Sequence, residues 1–209
     1  MARGRFITFE GGEGGGKSTQ VRRLAEHLAA QGRTVVTTRE PGGSPGAEAI
    51  RALLVTGDPD RWSPLTETLL MYAARRDHIE RVVEPALARG DWVICDRFAD
   101  STRAYQGAGG GAPAALIETL EHEILGATRP DLTLILDLPV QVGLARAAAR
   151  DTGAETRFEA KGEAFHQRLR EGFLAIAKAE PDRCAVIDAT LPMEAVAEAI
   201  WAAVDGRLG

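Results

Sequence analysis

The chain is poor in the features that most readily assign a protein. It carries two cysteines, Cys95 and Cys184, in 209 residues. Their spacing matches no metal-binding pattern, and one disulfide would be a weak framework for this length. Both are expected to be buried thiols in a reducing compartment. Basic residues are not in excess, with 25 Lys and Arg against 30 Asp and Glu, a net charge of −5 and a pI near 5.5. That balance argues against a general affinity for nucleic acid but leaves room for a local basic pocket that takes a small anion. No run of about 18 apolar residues occurs, and the opening "MARGRFITFE" lacks the apolar stretch of a secretory signal. A cytoplasmic protein with no membrane and no nucleic-acid partner is the expectation. With no internal repeat and no long linker, residues 1–209 are expected to form a single domain.

What is present alternates. The runs "RFITF" (5–9), "RTVVTT" (33–38), "DWVICD" (91–96), "LTLILDL" (132–138) and "CAVIDA" (184–189) read as strands. Nearly continuous apolar runs of this length suit a parallel sheet covered on both faces. Between them lie helical patterns at 17–31, 45–56, 65–89, 113–125, 140–149, 161–179 and 192–205. The alternation predicts an α/β fold with right-handed crossovers and a site at the carboxyl ends of the strands. The polar segment 150–160, "RDTGAETRFEA", interrupts two helices and is the expected lid.

The stretch "FEGGEGGGKSTQ" carries the chemistry. Gly11, Gly12, Glu13, Gly14, Gly15, Gly16, Lys17 and Ser18 fit G-x-x-x-x-G-K-[ST], after an expected strand and before an expected helix. Glycines let backbone N–H groups approach a polyphosphate, and the helix N-terminus adds its dipole. Lys17 neutralises the outer phosphates, Ser18 offers a hydroxyl to Mg²⁺, and Thr19 follows on the first helical turn. Binding of a nucleoside triphosphate with Mg²⁺ is the expectation. Glu13 is costly beside phosphates unless it faces a cation or a hydroxyl. Asp96 and Asp137 each end a strand and could stand on the metal side. Asp96 is preferred, because Arg97 follows it and phosphoryl transfer needs both charges together.

In order along the chain, "FEGGEGGGKSTQ", "TREPGG" (38–43), "YAARRDH" (72–78), "WVICDRFADSTRAYQG" (92–107), "RPDLTLILDLP" (129–139), "RFE" (157–159) and "VIDAT" (186–190) resemble the thymidylate kinase family over nearly the whole length. The resemblance implies a P-loop NTPase fold with a five-stranded parallel sheet, a homodimer, and transfer of the ATP γ-phosphate to dTMP. Residue by residue, it implies donor-phosphate and metal roles for Lys17 and Ser18, with Asp96 beside them. Glu13 would meet the acceptor sugar and Arg97 would bridge the acceptor and transferred phosphates. Arg51 is favoured over Arg39 as a further acceptor-phosphate arginine, and Pro41 accompanies them. Arg75, Ser101 and Thr102 would address the thymine edge, while Tyr105, with Gln106, would crowd the sugar 2′ position. Met71 stands where family members carry a phenylalanine that stacks on thymine; its sulfur or the Tyr72 ring would take that place. With only glycine at 14–16, the catalytic arginine is expected from the lid, as Arg150 or Arg157, while Arg146 would stack on adenine. The alternatives are another P-loop nucleoside or nucleotide kinase, or a regulatory ATPase switch.

Overall fold

The structure, a computed structural model, describes residues 3–58, 60–149, 157–158 and 161–209. Strands β1 (Phe6–Glu10), β2 (Val35–Arg39), β3 (Trp92–Asp96), β4 (Leu132–Asp137) and β5 (Cys184–Asp188) form one parallel sheet in the order β2-β3-β1-β4-β5. Each coincides with one of the five apolar runs. β1 lies at the centre, with Phe9 level with Asp96 on one side and Leu134 on the other. The acids that close β1, β3 and β4 therefore share the carboxyl edge of the sheet.

The period of two along β1 divides the core. Ile7 and Phe9 pack with Leu24 and Leu28 of α1 (Lys17–Ala30) and Ile200 of α9 (Met193–Leu208). Phe6 points the other way, among Ile79, Val83 and Phe98. On that same side Ile135 meets Leu169 and Phe173 of α8 (Glu163–Ala179), together with Tyr105. Helices on both faces explain why the inner strands β1, β3 and β4 read as nearly continuous apolar runs. Each fully buried Phe, Leu or Ile contributes roughly 1.5–3 kcal/mol.

Helices α2 (Pro45–Val55) and α3 (Pro64–His78) follow β2, and Ser63 caps α3 by accepting from the Thr66 amide at 3.2 Å. α3 runs through a π-helical turn (Ile79–Val83) into α4 (Glu84–Ala88), together spanning the single pattern expected at 65–89. α6 (Ala114–Leu125) and α7 (Val140–Ala148) precede and follow β4. One element was not expected: α5 (Ala99–Thr102), continued by a π-helical segment (Arg103–Gly109). Its glycines hid it, since glycine in a helix costs about 1 kcal/mol relative to alanine. Here close packing needs them: a Cβ on Gly109 would lie 2.6 Å from the Phe165 ring of α8, and Gly172 of α8 matches it, since a Cβ there would lie 2.8 Å from Ala108. Among the described residues no helix is long and apolar enough to cross a membrane. The expected lid lies outside the described residues except for 157–158.

Candidate active site

The glycine loop joins β1 to α1. Gly14 has φ 71°, and a Cβ there would sit 2.1 Å from the Gly143 carbonyl of α7, so only glycine fits. Lys17 Nζ donates to the carbonyls of Gly11 at 3.1 Å and Gly12 at 2.7 Å. Burial, and then the neighbouring charge of Arg97, lower its pKa to about 8. Ser18 Oγ donates to Asp96 Oδ2 at 2.7 Å. Asp137 is instead clasped by Arg170, with contacts of 2.7 and 2.9 Å. The structure thus brings Asp96, not Asp137, to the hydroxyl beside the phosphate loop. Among the described residues no group of three or more His, Cys, Asp or Glu side chains could hold a metal ion. One hydroxyl and one carboxylate suit Mg²⁺, which keeps waters and takes most other ligands from phosphates.

Arg97 adopts the left-handed conformation, φ 69°, unusual for a residue with a side chain. Glu10 holds the turn that imposes it. Its carboxyl accepts from the amides of Phe98 at 2.8 Å and Ser101 at 3.2 Å, and from the Ser101 hydroxyl at 2.6 Å. Burial and nearby Asp100 raise the Glu10 pKa to about 8 against the pull of these donors. So held, Arg97 donates to the Gly11 carbonyl at 3.0 Å and to Glu13 Oε1 at 2.9 Å, with its guanidinium 4.8 Å from the Tyr105 ring centre. The Tyr105 hydroxyl donates to the same Glu13 oxygen at 2.5 Å. The cost of a carboxylate in the phosphate loop is met by this pair. Burial alone would raise the Glu13 pKa, but Arg97, Lys17 and the Tyr105 hydroxyl outweigh it and hold it at about 2.

A depressed carboxylate pKa stabilises the fold above its ordinary value, 4.5, and that contribution is lost as pH falls from 4.5 towards 2. The full contribution is on the order of 3 kcal/mol. Glu13→Gln should therefore flatten the acid limb of stability. Its melting temperature should lie below that of the unaltered protein at pH 7, and the gap should narrow below pH 4.5 and close as pH approaches 2.

Beside Arg97 opens a cleft of about 380 Å³. Every residue assigned to the acceptor side from the sequence lines it: Glu13, Arg39, Pro41, Arg51, Met71 and Arg75, then Arg97, Ser101, Thr102, Tyr105 and Gln106. Arg75 is buried. It donates to Glu40 at 2.8 Å, the Phe98 carbonyl at 3.0 Å and the Thr102 hydroxyl at 3.1 Å, while its Nη1 is buried with no hydrogen-bond partner among the described residues. Arg51 donates to the Pro41 carbonyl at 2.6 Å, and Arg39 pairs with Glu48 at 3.2 Å. Ser101 commits its proton to Glu10, and Gln106 donates to Glu67 at 2.8 Å. Of the two candidates at the aromatic position, Met71 lines the cleft. Tyr72 is buried, its hydroxyl 3.3 Å from the Ile117 carbonyl.

The thymidylate kinase family model matches residues 9–200. The chain is 68% identical to the thymidylate kinase of Caulobacter vibrioides, across the full length of both. It is 55% identical to that of Nitrobacter winogradskyi, covering 98% of this chain and 90% of the relative. This chain belongs to the thymidylate kinase family. A crystal structure of thymidylate kinase from Ehrlichia chaffeensis superposes with a TM-score of 0.77 at 35% identity, covering 98% of each chain. The thymidylate kinases are nucleoside monophosphate kinases, and the α/β sheet with its glycine loop is the fold they use.

The residues expected to serve the thymidylate kinase donor side are more dispersed. Arg146, on α7, donates to the Ala189 carbonyl just after β5, at 2.9 Å. Arg150 lies outside the described residues. Arg157 is buried on the acceptor side, bonded to Glu67 and to the carbonyls of Leu54 at 3.1 Å and Asp58 at 3.0 Å. Four residues of the site were not expected from the sequence: Glu10, Glu40, Glu67 and Phe158. An acid closing an apolar strand marked Glu10. Glu40 and Glu67 carried no signal, because a carboxylate on a strand end or helix reads as solvated until its buried arginine is known.

Proposed function

We propose that this protein catalyses Mg²⁺-dependent transfer of the γ-phosphoryl group of ATP to dTMP, giving ADP and dTDP. The observation that carries the reading is the convergence of every acceptor-side residue on one cleft that meets the phosphate loop at Arg97. ATP phosphates would take the loop amides and Lys17, drawing its Nζ from the carbonyls it now contacts. Ser18 and Asp96 would hold Mg²⁺, which when bound supplies positive charge to the phosphate oxygens. The acceptor phosphate would meet Arg51 and Arg97, aligning its oxygen for in-line attack. Charge in the transition state spreads over the equatorial oxygens, so fixed cations lower the barrier. Glu13 keeps Arg97 oriented before substrate arrives.

The Nη1 of Arg75, buried with no partner among the described residues, supports a pyrimidine. A buried donor without an acceptor costs about 1–3 kcal/mol, which a base carbonyl would relieve. Tyr105, gripped by Glu13, would exclude a 2′-hydroxyl. Tyr105→Ala should narrow the preference for dTMP over its ribo analogue about tenfold, read as the ratio of kcat/KM values. Unchanged discrimination would remove Tyr105 from that role. We also read the enzyme as a cytoplasmic homodimer. Leu65 and Leu69, one turn apart on α3 and about half exposed, offer apolar surface to a second copy, and sedimentation equilibrium tests the state.

A coupled assay of ADP release tests the reaction, with ATP alone and then with dTMP, thymidine, dUMP, UMP, CMP, GMP or AMP. Strong stimulation by dTMP is expected. Equal stimulation by another monophosphate would reassign the acceptor, and release indifferent to all of them would point to a nucleotide switch.

A further inference from the structure

We infer that Arg183, on the turn between α8 and β5, is a positioning residue for Arg97, acting through Asp100 and the one-turn helix α5. The inference rests on the phosphoryl-transfer reading above, in which Arg97 meets the reacting phosphates.

A single α-helical turn does not hold itself, and α5 begins at Phe98 without a side-chain cap. The turn that aims Arg97 is therefore set by what grips α5 from outside. Glu10 takes the amides of Phe98 and Ser101 from the end of β1. Asp100 is the second grip. It is 4% exposed and accepts a two-pronged bond from Arg183, Nη1 to Oδ2 at 2.7 Å and Nη2 to Oδ1 at 3.1 Å. Arg103 adds a further contact to Oδ1 at 3.1 Å.

Arg183 is itself fixed to the sheet. Its Nη1 also donates to the Thr133 hydroxyl at 2.6 Å, and Thr133 of β4 shares a 2.8 Å hydrogen bond with Thr8 of β1. Thr8 and Glu10 lie two residues apart, so both face the same side of β1. Glu180 accepts from Arg183 at 3.1 Å and from Arg103 at 2.5 Å, closing the network. A planar guanidinium that bonds a carboxylate through two N–H groups fixes direction as well as distance, which an ammonium group does not. Asp100 thus sets where α5 lies over the sheet, while Glu10 sets the turn before it. The Arg97 backbone enters α5 directly, so a shift of that helix moves its guanidinium relative to the glycine loop.

The test is a kinetic cycle: kcat at saturating ATP and dTMP for the unaltered protein, Arg183→Lys, Arg97→Ala and the double variant. Arg183→Lys keeps the charge and loses the fork. It should lower kcat about tenfold and leave the KM for ATP within about twofold. That loss should vanish once Arg97 is alanine, because no guanidinium remains to be aimed. The paired variant Asp100→Leu/Arg183→Met leaves neither partner as an unpaired buried charge, so it should fold and show the same fall in kcat. Melting curves confirm that each variant is folded at the assay temperature. Undiminished kcat in both Arg183→Lys and the paired variant would overturn the inference alone. So would an Arg183→Lys loss that persists in full beside Arg97→Ala, the mark of a general loosening. Unaltered protein whose turnover dTMP does not stimulate would overturn the proposed function and this inference with it.

Discussion

Arg97→Ala is expected to lower kcat by about 10³-fold or more while ATP affinity changes by less than about threefold. Arg97 touches the phosphate loop through the Gly11 carbonyl and the Glu13 carboxylate, whereas the ground-state grip on ATP would fall to Lys17 and the loop amides. Its charge is best used where the acceptor and transferred phosphates meet, in the transition state, and removing such an interaction lowers kcat rather than binding. The left-handed backbone of Arg97 is consistent with this role. Glu10, through the amides of Phe98 and Ser101, sustains a strained conformation that carries the guanidinium between Gly11, Glu13 and the Tyr105 ring. Single-turnover kinetics paired with calorimetry of ATP binding separates the two effects. A fall in ATP affinity as large as the fall in rate would reject the assignment.

Arg150→Ala should lower kcat by roughly 10²–10³-fold and leave dTMP binding unchanged. Positions 14–16 of the phosphate loop are glycine, so that part of the loop supplies no arginine to the γ-phosphate. Two lid arginines were candidates from the sequence. Arg157 is held by Glu67, Leu54 and Asp58, so the donor role is proposed for Arg150, which lies outside the described residues. An arginine brought to the γ-phosphate on lid closure would add charge and displace water that otherwise competes as acceptor. The discriminating readout is ATP hydrolysis relative to transfer, together with kcat. Near-normal rates in both Arg150→Ala and Arg157→Ala would sink the idea of a lid-borne catalytic arginine.

The sheet was legible because β1, β3 and β4 are buried on both faces and the edge strands β2 and β5 are still rich in β-branched residues, so composition marked all five. The glycine loop was legible because its residue types answer a single physical demand, close approach of backbone to phosphate. The acceptor cleft was reached only through resemblance, since Arg51, Arg75 and Arg97 come from different elements and share no local pattern. Two kinds of feature escaped. The helix at 99–109 was hidden by glycines whose purpose, contact with Phe165 and α8, is tertiary. The buried acids Glu40 and Glu67 were hidden because the partners that make their burial tolerable, Arg75 and Arg157, lie 35 and 90 residues away. Preference for Asp96 over Asp137 rested on one adjacency, that of Arg97. The geometry gives it a second basis, because Ser18 reaches Asp96 and Arg170 occupies Asp137.

The central claim is that ATP and dTMP meet with their phosphates across the glycine loop and Arg97 between them. A crystal grown with dTMP and a non-hydrolysable ATP analogue tests this most directly. The analogue's terminal phosphate should lie on Lys17 and the dTMP phosphate within hydrogen-bonding distance of both Arg97 and Arg51, with its base against Arg75. Density for dTMP outside the cleft between Arg97 and Tyr105, or a dTMP phosphate out of reach of Arg97, would contradict it.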